Sequence, residues 1–352
     1  MNKTTKIILI NIAAIVVILL LLWNPIRHIF KNHPYEYVYF NELAGGIDKT
    51  YGNYEMDYYY NSTREASEWV INNAIKSGME TGSKINVATW HAASVQYFFR
   101  NDTANFQVGF ARWYERGNVD WDYAIFTITG MMPEEIKNAN FPPQNTVYQV
   151  KVDNKPICLV LKRETKDDLF GFQLKENKEF NNAIEPLREA WNIDSTNVSI
   201  SMNLIECFFN TGKIDSAKLY IDKLLDYVPK YEPINHFLAH YYNVMKEPDK
   251  ALKILKTIRD NNIKFKAAYH FAYQIYVQQK DLKNAEKIML ELLESDQLDE
   301  QGFKQLVSVY RSQGLDERSA YKKIYRKYIT LYQKLGKKEE LKVYQEALKK
   351  LQ

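Results

Sequence analysis

Two cysteines, Cys158 and Cys207, are the whole thiol content of this 352-residue chain, and they exclude both a disulfide-built scaffold and a four-thiolate zinc site. The sequence also lacks a glycine-rich phosphate loop, a Gly-x-Ser-x-Gly nucleophile elbow and any cluster of metal ligands at diagnostic spacing. A strong excess of one charge is missing too. The chain has 47 Lys and Arg against 43 Asp and Glu, a net charge of +4 that gives no support for nucleic-acid binding. We therefore expect no cofactor and no metal.

Long apolar runs are equally scarce, and the one that is present lies near the start of the chain, from Ile7 to Trp23. At 1.5 Å rise per residue this run spans roughly 26 Å, close to the hydrocarbon thickness of a bilayer. A cleaved signal peptide is the alternative, but no small residues mark a cleavage site between Leu22 and Ile26. The sequence therefore favours an uncleaved transmembrane anchor with Trp23 at the interface. Basic residues flank the run on both sides, so the distribution of positive charge does not fix the orientation.

Tyrosine is abundant, with 26 residues, and several of them cluster between residues 35 and 60. Tyr35, Tyr37 and Tyr39 alternate along the chain, which predicts a strand or extended segment close to the membrane surface. The sequence leaves open whether this cluster contacts sugar, lipid or only the core of its own domain. Further on, residues 62–65 (Ser-Thr-Arg-Glu) predict a capping box at the start of a helix, with the serine as the cap and the glutamate bonding back to it.

Residues 24–165 otherwise follow the pattern of a small mixed α/β domain. The strand candidates are 85–90, 106–110, 123–128, 146–152 and 157–162. A helix through residues 95–99 is predicted after the first of them. Asp153-Asn154, between the last two, is typical of a hairpin turn. The order of these elements predicts a small, partly parallel sheet.

The start of this domain carries two sequence blocks, 33–46 (HPYEYVYFNELAGG) and 51–58 (YGNYEMDY), followed by Arg64-Glu65-Ala66. With these blocks, residues 7–163 resemble the last membrane helix and the C-terminal extracytoplasmic domain of bacterial protein-mannosyltransferase-like (family 39) glycosyltransferases. The resemblance implies that the domain faces the periplasm. It also implies that catalysis in such enzymes uses acidic residues in a loop of a many-helix membrane region, which is absent here. No catalytic residue is therefore assigned, and the question of enzymatic activity is left open with the balance against it.

Alanine recurs at a fixed interval in the C-terminal half of the chain. The repeated positions, each 34 residues after the one before, are Ala183, Ala217, Ala251 and Ala285. This period is that of the tetratricopeptide repeat, and it identifies residues 166–352 as a helical array of that type. The small alanine lets the two helices of a unit approach closely, and larger apolar residues fill the space between units.

Two features of the array depart from the plain repeat. Lys246 and Lys280 occupy turn positions where glycine, as at Gly212, is common, which predicts reshaped turns in those units. From Gly314 onward the chain has eleven Lys and Arg against five Asp and Glu, and an apolar stripe persists. These residues predict a basic capping helix at the end of the array.

In tetratricopeptide repeats the first helix of each unit lines a concave groove, which implies where a partner would bind. Placed on that pattern, the candidate groove consists of Met202, Glu206, Phe209, Asn210, His236, His240, Asn243, His270, Gln274, Gln278, Lys304 and Arg311. His236 and His240 are one helical turn apart, a spacing compatible with metal binding, but no third ligand follows at a diagnostic spacing. A peptide or protein is therefore the expected partner.

The sequence thus predicts an α+β multi-domain chain: a polar segment at 1–6, a transmembrane anchor at 7–23, a mixed α/β domain at 24–165 and the helical repeat array at 166–352. The predicted function is that of a non-catalytic, membrane-anchored scaffold for protein–protein interaction, single-pass in the inner membrane, with its main body in the periplasm. The alternative is an accessory or split C-terminal part of a lipid-linked-sugar-dependent glycosyltransferase whose catalytic membrane region is on another chain. The expected partners are a peptide or protein in the groove, lipid around the N-terminal helix and, under the alternative, a membrane glycosyltransferase; nucleic acid is not expected.

Overall fold

The computed structural model of the chain describes residues 3–76, 84–296 and 299–351. The predicted polar segment 1–6 is thus described only from Lys3, and Gln352 of the predicted array lies outside the described residues. The helices of the sheet region are α1 (Lys3–Asn32), α2 (Gly46–Thr50), α3 (Ser62–Lys76), α4 (Ala92–Phe99) and α5 (Pro133–Ile136), with 3-10 helices at Glu42–Ala44 and Trp113–Asn118. The strands are β1 (Ile85–Thr89), β2 (Phe106–Phe110), β3 (Tyr123–Thr127), β4 (Thr146–Val152) and β5 (Lys155–Lys162).

The remaining helices follow one another in hairpins. They are α6 (Asp167–Glu176), α7 (Phe180–Ile193), α8 (Val198–Asn210), α9 (Ile214–Tyr227), α10 (Glu232–Val244), α11 (Pro248–Asn261), α12 (Lys266–Gln278), α13 (Leu282–Ser295), α14 (Glu300–Ser312), α15 (Glu317–Leu335) and α16 (Lys338–Lys350). The chain is therefore mostly helical, with an N-terminal apolar helix, a small mixed sheet region and a C-terminal helical repeat, which confirms the predicted fold class.

The chain forms two compact units, unit 1 (Met1–Val228) and unit 2 (Pro229–Gln352). Unit 1 contains α1, the sheet with its helices and the first two helical hairpins, α6/α7 and α8/α9. Unit 2 contains the helices from α10 to α16.

Helix α1 is longer than the predicted span at 7–23. It runs without interruption from Lys3 to Asn32 and includes Pro25, and its residues from Thr5 to Trp23 are all exposed. Within the described residues, α1 is the one helix that is long and apolar enough to cross a bilayer, over Thr5–Asn32. A signal sequence at this position meets the same criterion, so the anchor itself stays a prediction.

The five strands form one sheet in the order β2-β1-β3-β5-β4. β1 pairs in parallel with β2 and β3, and β5 pairs antiparallel with β3 and β4, which confirms the predicted partly parallel sheet. β3 is buried along its whole length, which is why it reads as an uninterrupted apolar run. The β4–β5 hairpin turns at Asp153 and Asn154, whose φ angles of 46° and 65° define a turn that Asp and Asn tolerate better than most residues.

Residues 35–39 do not form a strand, contrary to the prediction from their alternating tyrosines. Their main chain makes turn hydrogen bonds instead of a ladder. The tyrosines are held by their hydroxyl groups: Tyr35 donates to Glu65 at 2.6 Å, and Tyr37 donates to Asp57. The alternation therefore reflects side-chain hydrogen bonds into the body of unit 1, which a sequence pattern does not distinguish from a half-buried strand.

The predicted capping box at the start of α3 is also wrong, because both of its side chains are engaged elsewhere. The Ser62 hydroxyl donates to Asp57, and Asp57 also accepts from the Ser62 main-chain N–H at 3.2 Å. Glu65 accepts from the hydroxyls of Tyr35 and Tyr148, both at 2.6 Å. A carboxylate upstream of the helix thus takes the capping role assigned to the serine.

Buried polar groups join the first two helical hairpins to the sheet region of unit 1. Arg116, fully buried, donates to Asp194 at 3.1 Å. Glu135, also fully buried, accepts from the indole of Trp113 at 2.7 Å and from the hydroxyl of Tyr227 on α9 at 2.9 Å. Burial raises the pKa of Glu135, and Arg116 and the hydrogen-bond donors oppose that rise. Breaking such contacts leaves uncompensated buried groups, so the hairpins and the sheet region stabilise each other.

The compact units divide elsewhere than at the predicted domain boundary. Residues 165 and 166 lie between the end of β5 and the start of α6, so the prediction marks the change from strands to helices. The units divide at Val228 and Pro229 instead. Sequence patterns report where the secondary structure changes, but not which helices share a core.

The helical hairpins repeat one geometry at the 34-residue interval. The repeat alanines, all 0% exposed, are Ala183, Ala217, Ala251 and Ala285. The residues of positive φ that recur every 34 positions in the turns are Lys178 (64°), Gly212 (71°), Lys246 (60°), Lys280 (61°) and Gly314 (94°), and Gly336 (70°) lies in the last turn. The lysine turns therefore keep the left-handed conformation of the glycine turns, and the predicted reshaping at Lys246 and Lys280 is wrong.

The end of the array is covered by an aromatic stack. Helix α15 has 19 residues, whereas α13 has 14. The last turns of α15 lie against α16. The ring of Tyr344 on α16 stacks on Tyr328 and Tyr332, with ring centroids 4.6 and 5.4 Å apart. Helix α16 thus hides aromatic surface of α15 that a further repeat would otherwise cover.

Candidate functional site

The predicted groove residues lie on four first helices of the hairpins. Met202, Glu206, Phe209 and Asn210 lie on α8 in unit 1, and the other eight lie on α10, α12 and α14 in unit 2. Each set therefore belongs to the surface of its own unit.

On α8, part of the predicted surface is already used inside unit 1. Lys175 donates to the Glu206 carboxylate at 3.0 Å, and the Asn210 side chain donates to the Glu206 carbonyl at 2.9 Å. Burial alone would lower the pKa of Lys175, but its hydrogen-bonded carboxylates raise it. Met202 and Phe209 are half-buried beside these groups. Glu206 and Asn210 on α8 are therefore already engaged in hydrogen bonds within unit 1.

His236 and His240 on α10 pack against an aromatic ring of the next first helix. Their ring centroids lie 5.3 and 5.7 Å from that of Phe271, and Nε2 of His236 is buried with no hydrogen-bond partner among the described residues. Burial lowers the pKa of both histidines, so both are neutral at neutral pH. Asn243, one turn further, is half-buried. The described residues contain no group of three or more His, Cys, Asp or Glu side chains arranged to hold a metal.

His270 lies 34 residues after His236, at the equivalent position of the next repeat, and its ring contacts residues of the following hairpin. Its Nδ1 lies 2.8 Å from the amide oxygen of Gln305, and its Nε2 lies 3.4 Å from Asp299. Asp299 also accepts from the Gly302 N–H and so caps α14. Sequence reasoning missed Asp299 and Gln305; the Asp-x-x-Gly pattern before α14 is the capping signal that indicates the first of them.

Four of the predicted groove residues are exposed on neighbouring first helices of unit 2. Gln274 and Gln278 lie on α12, and Lys304 and Arg311 lie on α14. Lys304 lies 4.0 Å from the exposed Glu300, a separation at which an ion pair contributes little. The four side chains offer hydrogen-bond donors and two positive charges, which suit the carbonyl and carboxylate groups of a peptide.

A second open surface of unit 2 was not predicted from the sequence. It is a cavity of about 670 Å³ between α13 and α15, and its leucine residues are Leu290, Leu293, Leu306, Leu331 and Leu335. The residues equivalent to Leu290 in the three preceding hairpins are all charged: Arg188, Asp222 and Lys256. A leucine where the repeat otherwise carries charge is the sequence signal that marks this surface.

The tyrosine cluster at 35–60 divides into a core part and a surface part. Tyr51 is buried and donates to the Pro156 carbonyl at 2.7 Å, in addition to the core hydrogen bonds described above. Tyr54, Tyr58 and Tyr59 are exposed by 63%, 65% and 66% of their surface. These three rings are open to solvent, whereas the buried tyrosines serve the core.

The nucleophile candidates of unit 1 are structural. Burial raises the pKa of the Cys158 thiol, and it raises that of Cys207 to about 11, so neither is a thiolate at neutral pH. His91 stacks on Tyr60 at 3.7 Å, and its Nε2 lies 3.0 Å from the Thr127 hydroxyl. Burial lowers the pKa of His91. We find no geometry in these groups for nucleophilic or acid–base catalysis.

Comparison with known proteins supports the repeat. Residues 174–240 match the tetratricopeptide repeat family. A thermophilic tetratricopeptide repeat protein of Thermus thermophilus is 18% identical over 51% of this chain and 95% of its own, with a TM-score of 0.37. PilF of Pseudomonas aeruginosa is 15% identical over 52% of this chain and 88% of its own, with a TM-score of 0.38. YrrB, described as a tetratricopeptide repeat protein with an unusual peptide-binding site, is 16% identical over 48% and 86%, with a TM-score of 0.34.

Comparison with curated proteins gives no match. The family match covers residues 174–240, and the left-handed turns recur every 34 residues along the helical hairpins, so the C-terminal helical repeat resembles a tetratricopeptide solenoid. Arrays of this type present extended surfaces for proteins and peptides, and the resemblance supports a role in protein–protein interaction. The resemblance of residues 7–163 to the glycosyltransferase tail is not supported by these comparisons and stays a prediction.

Proposed function

We propose that this chain is a membrane-anchored scaffold whose repeat array binds a peptide or protein at the cell envelope. The observation that carries the proposal is the exposed polar row formed by Gln274, Gln278, Lys304 and Arg311 on α12 and α14. The opposite sides of these helices are already used, since Ala272 and Leu306 are fully buried in the array. The row is therefore left open to solvent and to a partner.

The chemistry of the row favours a peptide with acidic groups. Amide side chains bond to the main chain of an extended peptide, and Lys304 and Arg311 pair with carboxylates. The histidines predicted beside them contribute to packing, since His236, His240 and His270 contact the next hairpin. The proposed partner surface therefore contains fewer residues than the groove predicted from the sequence.

Site-specific photo-crosslinking tests this surface. A photoreactive amino acid at position 274 or 278 of the full chain, in its native membrane, should give the same discrete adduct. The control position is Thr330, which lies in the leucine-lined cavity and should give none. An adduct from position 330 alone, or none from 274 and 278, contradicts the proposal.

We propose that α1 is an inner-membrane anchor and that the body of the protein lies in the periplasm. The length and exposure of α1 and the resemblance of residues 7–163 support this placement. Resistance of the full chain to alkaline carbonate extraction tests the anchor, and loss of the array on adding protease to spheroplasts tests the side. Digestion in inverted vesicles but not in spheroplasts contradicts the periplasmic placement.

The accessory role in glycosyl transfer is the second candidate, and the exposed rings of Tyr54, Tyr58 and Tyr59 favour it because such rings stack on sugars. Under this candidate the chain co-purifies from membranes with a many-helix membrane protein, and the pair transfers sugar from a lipid-linked donor. Recovery of soluble envelope proteins alone contradicts it.

A further inference from the structure

The last part of α1 is held firmly against the body of unit 1. His28 and Asn32 are only 7% and 6% exposed. The ring of His28 lies edge-on to Tyr39, with centroids 5.1 Å apart. Lys31 donates to Asp153 in the β4–β5 turn at 2.7 Å, and the Asp153 N–H donates back to the Asn32 side chain at 3.1 Å. The helix therefore enters the folded body without an intervening linker.

Pro25 does not uncouple the helix from the body. Proline removes one main-chain hydrogen bond and so is a common site of helix kinks. Asn24, however, lies on the N-terminal side of Pro25 and donates to Glu42 of the body. The body thus contacts α1 on both sides of the proline, through Asn24 and His28.

The contact between Asn24 and Glu42 brings one exposed leucine to the level of the membrane surface. Glu42 begins the 3-10 helix Glu42–Ala44, and the next residue, Leu43, is 99% exposed. Asn24 directly follows Trp23, the interfacial residue of the apolar run, and one residue of helix is about 1.5 Å of depth. A leucine that is fully exposed in the protein alone therefore lies where an anchored α1 meets the lipid headgroups.

We propose that Leu43 inserts into the bilayer interface, so that unit 1 rests on the lipid surface instead of hanging from a flexible tether. The proposal rests on the membrane anchoring proposed above. Two further features fit it: Arg27, exposed beside Asn24, can pair with lipid phosphates, and Trp23 is 64% exposed at the same level. Exposed apolar, tryptophan and basic side chains are the composition of a membrane-contacting surface.

Fluorescence quenching by lipid tests the proposal in the full chain. Cys158 and Cys207 are both buried, so a cysteine introduced by Leu43→Cys is the reactive thiol for an environment-sensitive dye. The matched control is Leu219→Cys on α9, because Leu219 is also apolar and 53% exposed. In nanodiscs of phosphatidylethanolamine and phosphatidylglycerol with spin-labelled lipid, the label at 43 should be quenched at least about twofold more than the label at 219.

Two outcomes separate this inference from the anchor on which it rests. Extraction of the protein by alkaline carbonate overturns the anchor and the inference together. A protein that resists carbonate but shows equal quenching at positions 43 and 219 overturns the inference alone.

Asp153→Asn adds an independent measurement: it keeps a residue that tolerates the left-handed turn but removes the charge partner of Lys31. This variant should lower the quenching at position 43 while leaving resistance to carbonate unchanged. Unchanged quenching contradicts the proposal that contacts between α1 and unit 1 hold Leu43 at the lipid surface.

Discussion

At the scale of single residues, the hairpin turns show how the array tolerates lysine where glycine is favoured. Lys178, Lys246 and Lys280 adopt φ between 60° and 64°, a conformation that costs a residue with a Cβ atom roughly 1 kcal/mol or more. The turn is nevertheless kept, because the packing of both helices fixes where the chain must reverse. The packing of the two helices at the alanine crossings therefore offsets the free-energy cost of the left-handed turn.

We expect Lys246→Gly to raise the free energy of unfolding by about 0.5–1 kcal/mol, since glycine adopts the left-handed conformation without strain. Urea denaturation of the full chain followed by circular dichroism measures the effect. Lys253→Gly is the matched control: Lys253 is exposed within α11, where glycine should destabilise by about 1 kcal/mol. Destabilisation by both substitutions contradicts the left-handed turn.

The buried histidines predict a pH dependence of stability. Burial lowers the pKa of His236 and His240, whereas in the unfolded chain both titrate near 6.5, at about the value for an exposed histidine. Below that pH the unfolded chain binds more protons than the folded one, so stability falls as pH falls through this window. Unfolding of the full chain at pH values from about 7.5 to 5.5 should therefore need progressively less urea.

The double variant His236→Asn, His240→Asn identifies the source of that dependence. Asparagine does not titrate, so the variant should lose part of the decline in urea midpoint between neutral and mildly acidic pH. An identical decline in the variant and the wild type shows that other groups are responsible. A wild-type chain that becomes more stable on acidification contradicts the burial of these imidazoles.

At the scale of elements, the helix crossings are the most sensitive positions. Ala251 is 0% exposed at the crossing of α10 and α11, and a carboxylate there is buried without a partner. We expect Ala251→Asp to destabilise the array by about 3–5 kcal/mol. Lys253→Asp places the same charge on the exposed side of α11 and should cost far less. Thermal unfolding by circular dichroism compares the two, and equal losses contradict the buried crossing.

The same scale shows what the sequence predicts and where it fails. The repeat helices were predictable from their periodic apolar faces, and the strands from short apolar or alternating runs bounded by turn residues. The segment at 35–39 was not, because Tyr35 and Tyr37 gain their partners from Glu65 and Asp57, which are distant in sequence. The packing of the groove histidines was not predictable for a related reason, since their partners Phe271 and Asp299 come from the next hairpin.

At the scale of the whole molecule, the sheet region depends on helices that the repeat pattern assigns to the array. Arg116 and Glu135 of the sheet region are fully buried and find their partners on the hairpins, in Asp194 and Tyr227. A buried cation that loses its partner destabilises by several kcal/mol, and a buried carboxylate that loses a donor adds to this. The unit that folds should therefore end near residue 228 instead of residue 165.

Two fragments of the chain test where the folded unit ends. Residues 24–228 keep the partners of Arg116 and Glu135, so this fragment should unfold cooperatively and resist limited proteolysis. Residues 24–165 leave both buried groups without those partners, so this fragment should aggregate or be digested rapidly. Because both fragments lack the apolar run before residue 24, the membrane does not affect the comparison. If 24–165 unfolds cooperatively at the same temperature as 24–228, the hairpins are independent of the sheet region, and the boundary read from the sequence is the physical one.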